Sequence, residues 1–303
     1  MSRWLSLLLL ALMSGTSSIS SANDVYVDNV GGDDYLDGTA PEKPGGYVGP
    51  TRTIAKALRI AGPGDRVRLK KNDEPYHECL TLFGWQHSGI HAGSPFVIEG
   101  NGAVLDGTGK VSDRAWEHVQ GDVFRFRPER ITYQQLFMDG RPATRRFLED
   151  ATGKMPALEP KQWLLANANI YFRVEPDHLP MDYNLAYAQH QVGLSFYRVH
   201  DVAILDLVVQ GFQQDGINAH DATRSLLLAR VNCRGNGRSG IAVTNAAQAD
   251  LDHCIVGDNG QAQLLLEGHS DTHVSECEIF DNTAPQFVRH GGRLTVDGKP
   301  VTE

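Results

Sequence analysis

The stretch Leu228-Ala229-Arg230-Val231-Asn232-Cys233-Arg234-Gly235-Asn236 returns 23 residues later as Leu251-Asp252-His253-Cys254-Ile255-Val256-Gly257-Asp258-Asn259. Two further copies flank it, so that Ile204, Leu228, Leu251 and Val274 open four segments spaced 24, 23 and 23 residues apart. Three residues on stand Leu207, Val231, Cys254 and Cys277, then Val209, Cys233, Val256 and Ile279, then Phe212, Asn236, Asn259 and Asn282. The columns continue with Ile217, Ile241, Leu264 and Phe287, and then Ala219, Val243, Leu266 and Arg289. The break at Arg289 suits an atypical terminal repeat.

Inside each repeat the apolar residues alternate in short, β-branched runs, the pattern of strands and not of helices. Glycines and polar residues separate the runs: Gly211, Gly235, Gly237, Gly257 and Gly260. A propeller blade needs about 40 residues or more. A unit of ~23 residues with two or three short strands is one coil of a parallel β-helix, with like residues stacked about 4.8 Å apart on successive coils. Asparagine tolerates the left-handed backbone of a sharp turn, and stacked amides can hydrogen-bond along the axis. The Asn column therefore reads as a ladder. Cys254 and Cys277 share a column on adjacent coils. Parallel in-register strands set their Cβ atoms side by side, which favours buried thiols over a disulfide.

The chain has 303 residues and a formal net charge of −9, from 28 Lys+Arg against 37 Asp+Glu. That length builds a core without a disulfide scaffold. Hydrophobic content of 41% and charged content of 21% exclude a disordered chain. The acidic balance argues against a nucleic-acid partner. Arg3, the apolar run Leu5 to Met13 and the small residues Ser20 and Ala22 read as a signal peptide over residues 1–22, with the mature chain starting at Asn23. The run is far shorter than the roughly 20 residues of a spanning helix. The expected location is secreted, periplasmic or cell-surface, with no stable membrane insertion after cleavage.

The N-terminal half carries an ordered series: Val25-Tyr26-Val27-Asp28, Gly31-Gly32-Asp33-Asp34, Asp37-Gly38-Thr39-Ala40-Pro41, Thr53-Ile54-Ala55-Lys56-Ala57-Leu58, Ala61-Gly62-Pro63-Gly64-Asp65, Val67-Arg68-Leu69 and Pro75-Tyr76-His77-Glu78. With the repeats, this series resembles the right-handed parallel β-helix, pectate-lyase-like superfamily, and is similar to the opening of many secreted bacterial β-helix proteins. These include polysaccharide lyases of the pectate and alginate types. The resemblance implies an all-β, right-handed parallel β-helix solenoid with a short N-terminal capping helix.

The residues agree with this. Ile54, Ala57, Leu58 and Ala61 fall on one face of a helix over 53–61. Pro63 forbids its continuation. A solenoid's raw apolar end needs such a cover. Residues 23–303 read as a single domain, with loop-rich coils over 109–193 and regular coils over 204–289. The aromatics of 109–193, among them Trp116, Trp163, Phe172 and Tyr187, either stack on sugar rings or pack the loops onto the coils.

The resemblance implies a polysaccharide partner and, as the first functional expectation, a lyase cleaving an acidic uronate glycan by β-elimination. The alternative is a non-catalytic glycan-binding or cell-surface structural protein, so enzyme status stays open. A lyase needs a base or acid such as His, Tyr, Lys or Arg, and a cation against the uronate carboxylate. Alternation sends His220, Thr244, Glu267 and His290 outward, and the following turn adds Asp221, Asn245 and His269.

Arg238 and His220 are the candidate catalytic residues. Arg224, Arg230 and Arg234, with Asn245, Glu267 and His269, are the candidate substrate-binding residues. The four arginines of one coil could form a basic band, or simply solubilise a slim solenoid. The stretch Asp215 to Asp221 is similar to the pectate lyase segment whose aspartate binds calcium, which implies a metal role for Asp221. The following Asn245 and Glu267 depart from the family's run of acids. Asp33, Asp34 and Asp37 read as turn residues beside glycine. Arg141, Arg145 and Arg146 are candidates for a cleft wall. No G-x-S-x-G, P-loop or H-E-x-x-H motif is present, and the repeats offer no evident facing carboxylate pair.

Overall fold

The computed structural model describes residues 22–148 and 155–302. Apart from Ala22, the signal-peptide segment lies outside them. The coils wind three parallel faces. The first face stacks Asp24–Val27, Arg66–Leu69, the opening halves of Phe96–Asp106 and His200–Gln210, then Arg224–Ala229, Gln248–Asp252 and the closing halves of Ala262–Ser275 and Phe287–Val296. The second face stacks the closing halves of Phe96–Asp106 and His200–Gln210 on Asn232–Arg234, Ile255–Gly257 and Glu278–Ile279. The third stacks Leu80–Phe83, Leu194–Tyr197, Asp215–His220, Ser239–Val243, the opening of Ala262–Ser275 and that of Phe287–Val296.

The repeat register is the observed register. Ile204 pairs with Leu228, Leu228 with Leu251, and Leu251 with Val274. Val209, Cys233, Val256 and Ile279 stack on the second face, and Ile217, Ile241, Leu264 and Phe287 on the third. These inward columns merge into one core that runs from Val25 to Leu294.

The Asn ladder forms at the turn between the second and third faces. Buried Asn236 accepts the Phe212 N–H (3.1 Å), and buried Asn259 accepts the Asn236 N–H (2.9 Å) and side-chain amide (3.0 Å). The third step differs from the simple stack. Gln263 takes the place of an asparagine, accepting from Asn259 Nδ2 (2.7 Å) and donating to Asn282 Oδ1 (3.1 Å). Asn282 itself is exposed and donates to Asp258 (2.8 Å).

All four cysteines are free thiols. Cys254 is buried, with its thiol on the Leu228 carbonyl (3.2 Å), and half-buried Cys277 Sγ accepts the Cys254 N–H (3.2 Å).

A second axial column was not legible in the repeat. Asp206, Arg230, His253 and Glu276 turn the corner between the first and second faces, all at φ of +50° to +53°. Non-glycine residues rarely adopt this left-handed region. Here the side chains pair along the axis: Arg230 forks onto Asp206 (2.6 and 2.9 Å), and His253 Nε2 meets Glu276 (2.8 Å). The corner accepts any side chain that can pair vertically, so no residue type repeats.

At the N-terminal end the helix Ile54–Ile60 buries Ile54, Ala57 and Leu58 against the first coil. Thr53 caps it through the Lys56 N–H, and Asp34 fixes Thr53 (2.8 Å). Glu78, reaching up from the coil below, accepts the Ile54 and Ala55 N–H groups (2.8 Å each). Asp33 and Asp37 close local turns onto the Tyr35 and Thr39 amides.

The expectation of loop-rich coils over 109–193 is corrected by the structure. Between the second-face strand ending at Asp106 and the third-face strand Leu194–Tyr197, the chain leaves the solenoid and builds two antiparallel sheets. One joins Glu117–Gln120, Val123–Phe126, Asn169–Arg173 and Trp163–Ala166. The other joins Thr108–Lys110, Leu185–Ala188, Leu136–Met138 and Arg141–Pro142. They enclose their own core around Trp163, Phe126, Phe172, Leu136 and Tyr187. Most of the aromatics therefore pack this insertion. Its antiparallel pairs mix local hairpins with strands distant in the chain, so they leave no 23-residue period.

Candidate functional site

The outer side of the third face carries the candidate site. In register along the axis stand Phe83, Tyr197 and His220, followed by Thr244, Glu267 and His290 on later coils. Exposed Trp85 stacks beside Phe83 (6.4 Å between ring centroids), Phe83 meets the Tyr197 ring edge-on (6.2 Å), and Tyr197 meets His220 (5.1 Å). This is a continuous aromatic row that ends on an imidazole. Trp85 and Phe83 are 78% and 38% exposed, although such rings are mostly buried on average.

The turn after this row gathers charge and amide groups. Arg198 lies over the Tyr197 ring (5.3 Å to the centroid) and 3.5 Å from the Asp221 carboxylate. Asn245 donates to Asp221 (3.3 Å), and the His269 N–H donates to the Asn245 carbonyl (2.6 Å). His220, Asp221, Asn245 and His269 are thus brought together, with Glu267 one step further along the row. Arg198, Asp221 and Asn245 share a left-handed corner, at φ of +56° to +59°. Aromatic Tyr197 and cationic Arg198 were missed in sequence because the coil that holds them precedes the aligned repeats.

Beside the row, Arg238 is locked. Its Nε donates to the fully buried carboxylate of Asp215 (2.9 Å), a second guanidinium N–H reaches the other oxygen, and Ser239 donates to the same group (2.6 Å). The hydrogen bond that Arg238 donates to Asp215 holds its guanidinium above arginine's ordinary range. Arg238 is therefore a fixed positive charge, not a proton acceptor. Asn218 also donates to Asp215 (2.8 Å), which ties that charge to the outward row.

The four arginines do not form one band. Arg224 opens a first-face strand, Arg230 sits at the corner to the second face, Arg234 ends a second-face strand and Arg238 precedes a third-face strand. One coil circles the whole cross-section, so residues four apart look in different directions.

A calcium role for Asp221 is not supported by its surroundings. A cationic guanidinium and an amide N–H face its carboxylate, and both are donors where a cation needs oxygen ligands. Among the described residues no three His, Cys, Asp or Glu side chains converge as a metal-binding group.

The insertion walls the turn that joins the second and third faces. Its segment Thr132–Phe137 lies against the Asn ladder, where Gln213 accepts from Thr132 (2.8 Å) and donates to the Arg130 and Ala188 carbonyls (3.2 Å each). At Gly237 a Cβ would sit 1.8 Å from the Tyr133 carbonyl oxygen, so only glycine admits this contact. Arg145 is drawn inward by the insertion, packed over Trp163 (4.9 Å), and burial pushes its guanidinium below the usual range. Arg141 instead lines a cleft that the insertion forms with the second face, together with Arg234.

Residues 192–297 match the family model of the right-handed β-helix region. The fold is a right-handed parallel β-helix. No curated protein matches the sequence. Among solved structures, this β-helix protein is similar to one titled as a glycoside hydrolase, at 11% identity and a TM-score of 0.62, over 92% of this chain and 74% of that one. A complex of XylC with xylose aligns at 11% identity and a TM-score of 0.43, over 90% of this chain and 69% of that one. The pectate lyase Pel9A aligns at 12% identity and a TM-score of 0.45, over 93% and 63%. At such identity the likeness concerns the fold.

Proposed function

We propose that this β-helix protein acts on a polysaccharide laid along the outer third face, and that it cleaves an acidic uronate glycan there by β-elimination. The observation that carries the reading is the row Phe83 and Tyr197 running in register into His220, with exposed Trp85 stacked beside Phe83 and Arg198 alongside. Aromatic faces suit the C–H faces of sugar rings. The solenoid supplies a straight track with one coil about every 4.8 Å. The neighbour titled as a glycoside hydrolase is consistent with a glycan substrate.

The chemistry follows from the residues. A uronate carboxylate is met by Arg198, with the fixed charge of Arg238 further along the face, which stabilises the enolate-like intermediate. Histidine can take a proton near neutral pH, so His220 is the candidate base for the C5 proton. The C5–H electron pair becomes the C4=C5 double bond, the C4–O bond breaks, and the leaving oxygen takes a proton from the Tyr197 hydroxyl. Glu267 and His290 extend the row for the polymer's next units.

The test mixes the purified protein with pectate, alginate and polyglucuronate, in calcium and in chelator, and follows the absorbance of unsaturated uronate. His220→Ala is expected to lose about 100-fold or more of the rate. Trp85→Ala is expected to raise KM by about tenfold with kcat retained. Binding with no new absorbance and no fall in viscosity would favour the non-catalytic glycan-binding reading. No binding to any of the three polymers would overturn both.

A further inference from the structure

A second site lies on the far side of the insertion. The hairpin Phe137 to Pro142, with Thr108 and Ala186, overhangs the outer side of the second face and leaves a cleft of about 520 Å³. That is ample for one or two sugar units, within the usual range of roughly 300–1,000 Å³ for ligand pockets. Its floor is a chain of hydrogen bonds across three coils. Asp106 accepts the Thr108 N–H (2.7 Å) and the Gln210 amide (2.8 Å), and Gln210 in turn accepts Arg234 Nε (2.9 Å). Arg234 is oriented by this chain while both its terminal nitrogens stay without a partner among the described residues. Across the cleft, exposed Arg141 makes no side-chain hydrogen bond or ion pair with any described residue.

Asp106 is buried under the two donors just named, and Asp258 accepts from Asn282 through Oδ1 (2.8 Å), leaving its Oδ2 open. The two open guanidinium groups outweigh that one oxygen, and their fork shape matches a carboxylate. Phe137, Pro142 and Ala186 add an apolar wall beside it.

We propose that this cleft binds a single carboxylate-bearing sugar unit, separate from the aromatic row, with Arg141 and Arg234 on the carboxylate and Phe137 and Pro142 against the ring. The proposal rests on the reading of the glycan as acidic, but not on catalysis. A site that grips one acidic unit away from the track would anchor a chain end or a second strand while the row engages another stretch.

Calorimetry with galacturonate or glucuronate di- and trisaccharides tests it, alongside neutral galactose oligosaccharides and inorganic sulfate. The acidic saccharides should bind, and Arg141→Ala and Arg234→Ala should each weaken them by about tenfold. Trp85→Ala should leave this binding unchanged. Because Arg141 is exposed and unpartnered, its variant should keep the wild-type melting temperature. Equal binding of the neutral sugars, sulfate matching the acidic saccharides, or affinity indifferent to both arginine variants would overturn the proposal. A protein inactive on every polymer yet still holding acidic saccharides through Arg141 and Arg234 would remove the lyase reading and keep this site.

Discussion

The coils over 204–289 and the insertion between Asp106 and Leu194 are both β-structure, yet they are stabilised differently. In the coils each residue meets its equivalent from the coil above and below, so one inward column serves the whole axis. In the insertion local hairpins such as Trp163–Ala166 with Asn169–Arg173 combine with strands distant in the chain, such as Val123–Phe126, and the core is closed by large rings rather than by a repeated aliphatic column. The comparison teaches that repetition makes a scaffold, whereas the wall that shapes a site is built from the part that does not repeat.

Removing the insertion's central ring should separate the two regions most sharply. Trp163 is fully buried, and its indole N–H donates to the Ala143 carbonyl (3.0 Å). Trp163→Ala is expected to cost the insertion about 3–5 kcal/mol. Hydrogen exchange should speed up at Ile170 and Phe172 while Ile241 and Leu264 keep their protection. Equal loss of protection in both regions would show one cooperative unit and break the comparison.

Within the coils the largest effect should come from the ladder. Asn259→Ala leaves the Asn236 N–H and the Cys233 carbonyl without partners inside the core. The expected cost is about 2–3 kcal/mol, seen as a lower denaturation midpoint for the whole solenoid. A change confined to one coil would mean that the stack is less cooperative than its continuous core implies.

The smallest effect concerns the coil corner. The hydrogen bond and charge of Asp252, with Glu276 beyond it, hold His253 above histidine's ordinary range. A group whose folded-state pKa is raised contributes fully below its unfolded pKa and loses that contribution as pH rises through the folded value. The stability gap between wild type and His253→Asn, an exchange that tolerates the left-handed backbone, should therefore be widest below histidine's ordinary pKa and shrink as the pH rises past it. A gap independent of pH would assign His253 a purely conformational role.

The candidate site divides along the same line. His220, Glu267, Asn245 and His269 were legible because they occupy repeat positions whose inward neighbours fix the alternation. Arg238 was legible as a residue but not in its state, since Asp215 lies 23 residues away and only the wound coil brings the two together. The split of the four arginines among different faces, and the insertion's antiparallel sheets, were not legible, because direction around the cross-section and pairing without a period leave no mark in the spacing. The one available signal was Gly237, followed 23 residues later by Gly260, a column too bare for an ordinary turn. Gly237 admits the insertion at the Tyr133 carbonyl, and Gly260 admits the Gly237 carbonyl of the preceding coil.

The sequence alone determined the axis of this protein: which side chains face inward, how far apart equivalent ones recur, and where a helix must cover the end. That information is local and periodic, and each coil states it again. The tertiary structure alone decided which outward groups become neighbours, what roofs the second face, and which charges are already paired. Those contacts join residues with no shared period, so they exist only once the chain has wound and the insertion has docked upon it.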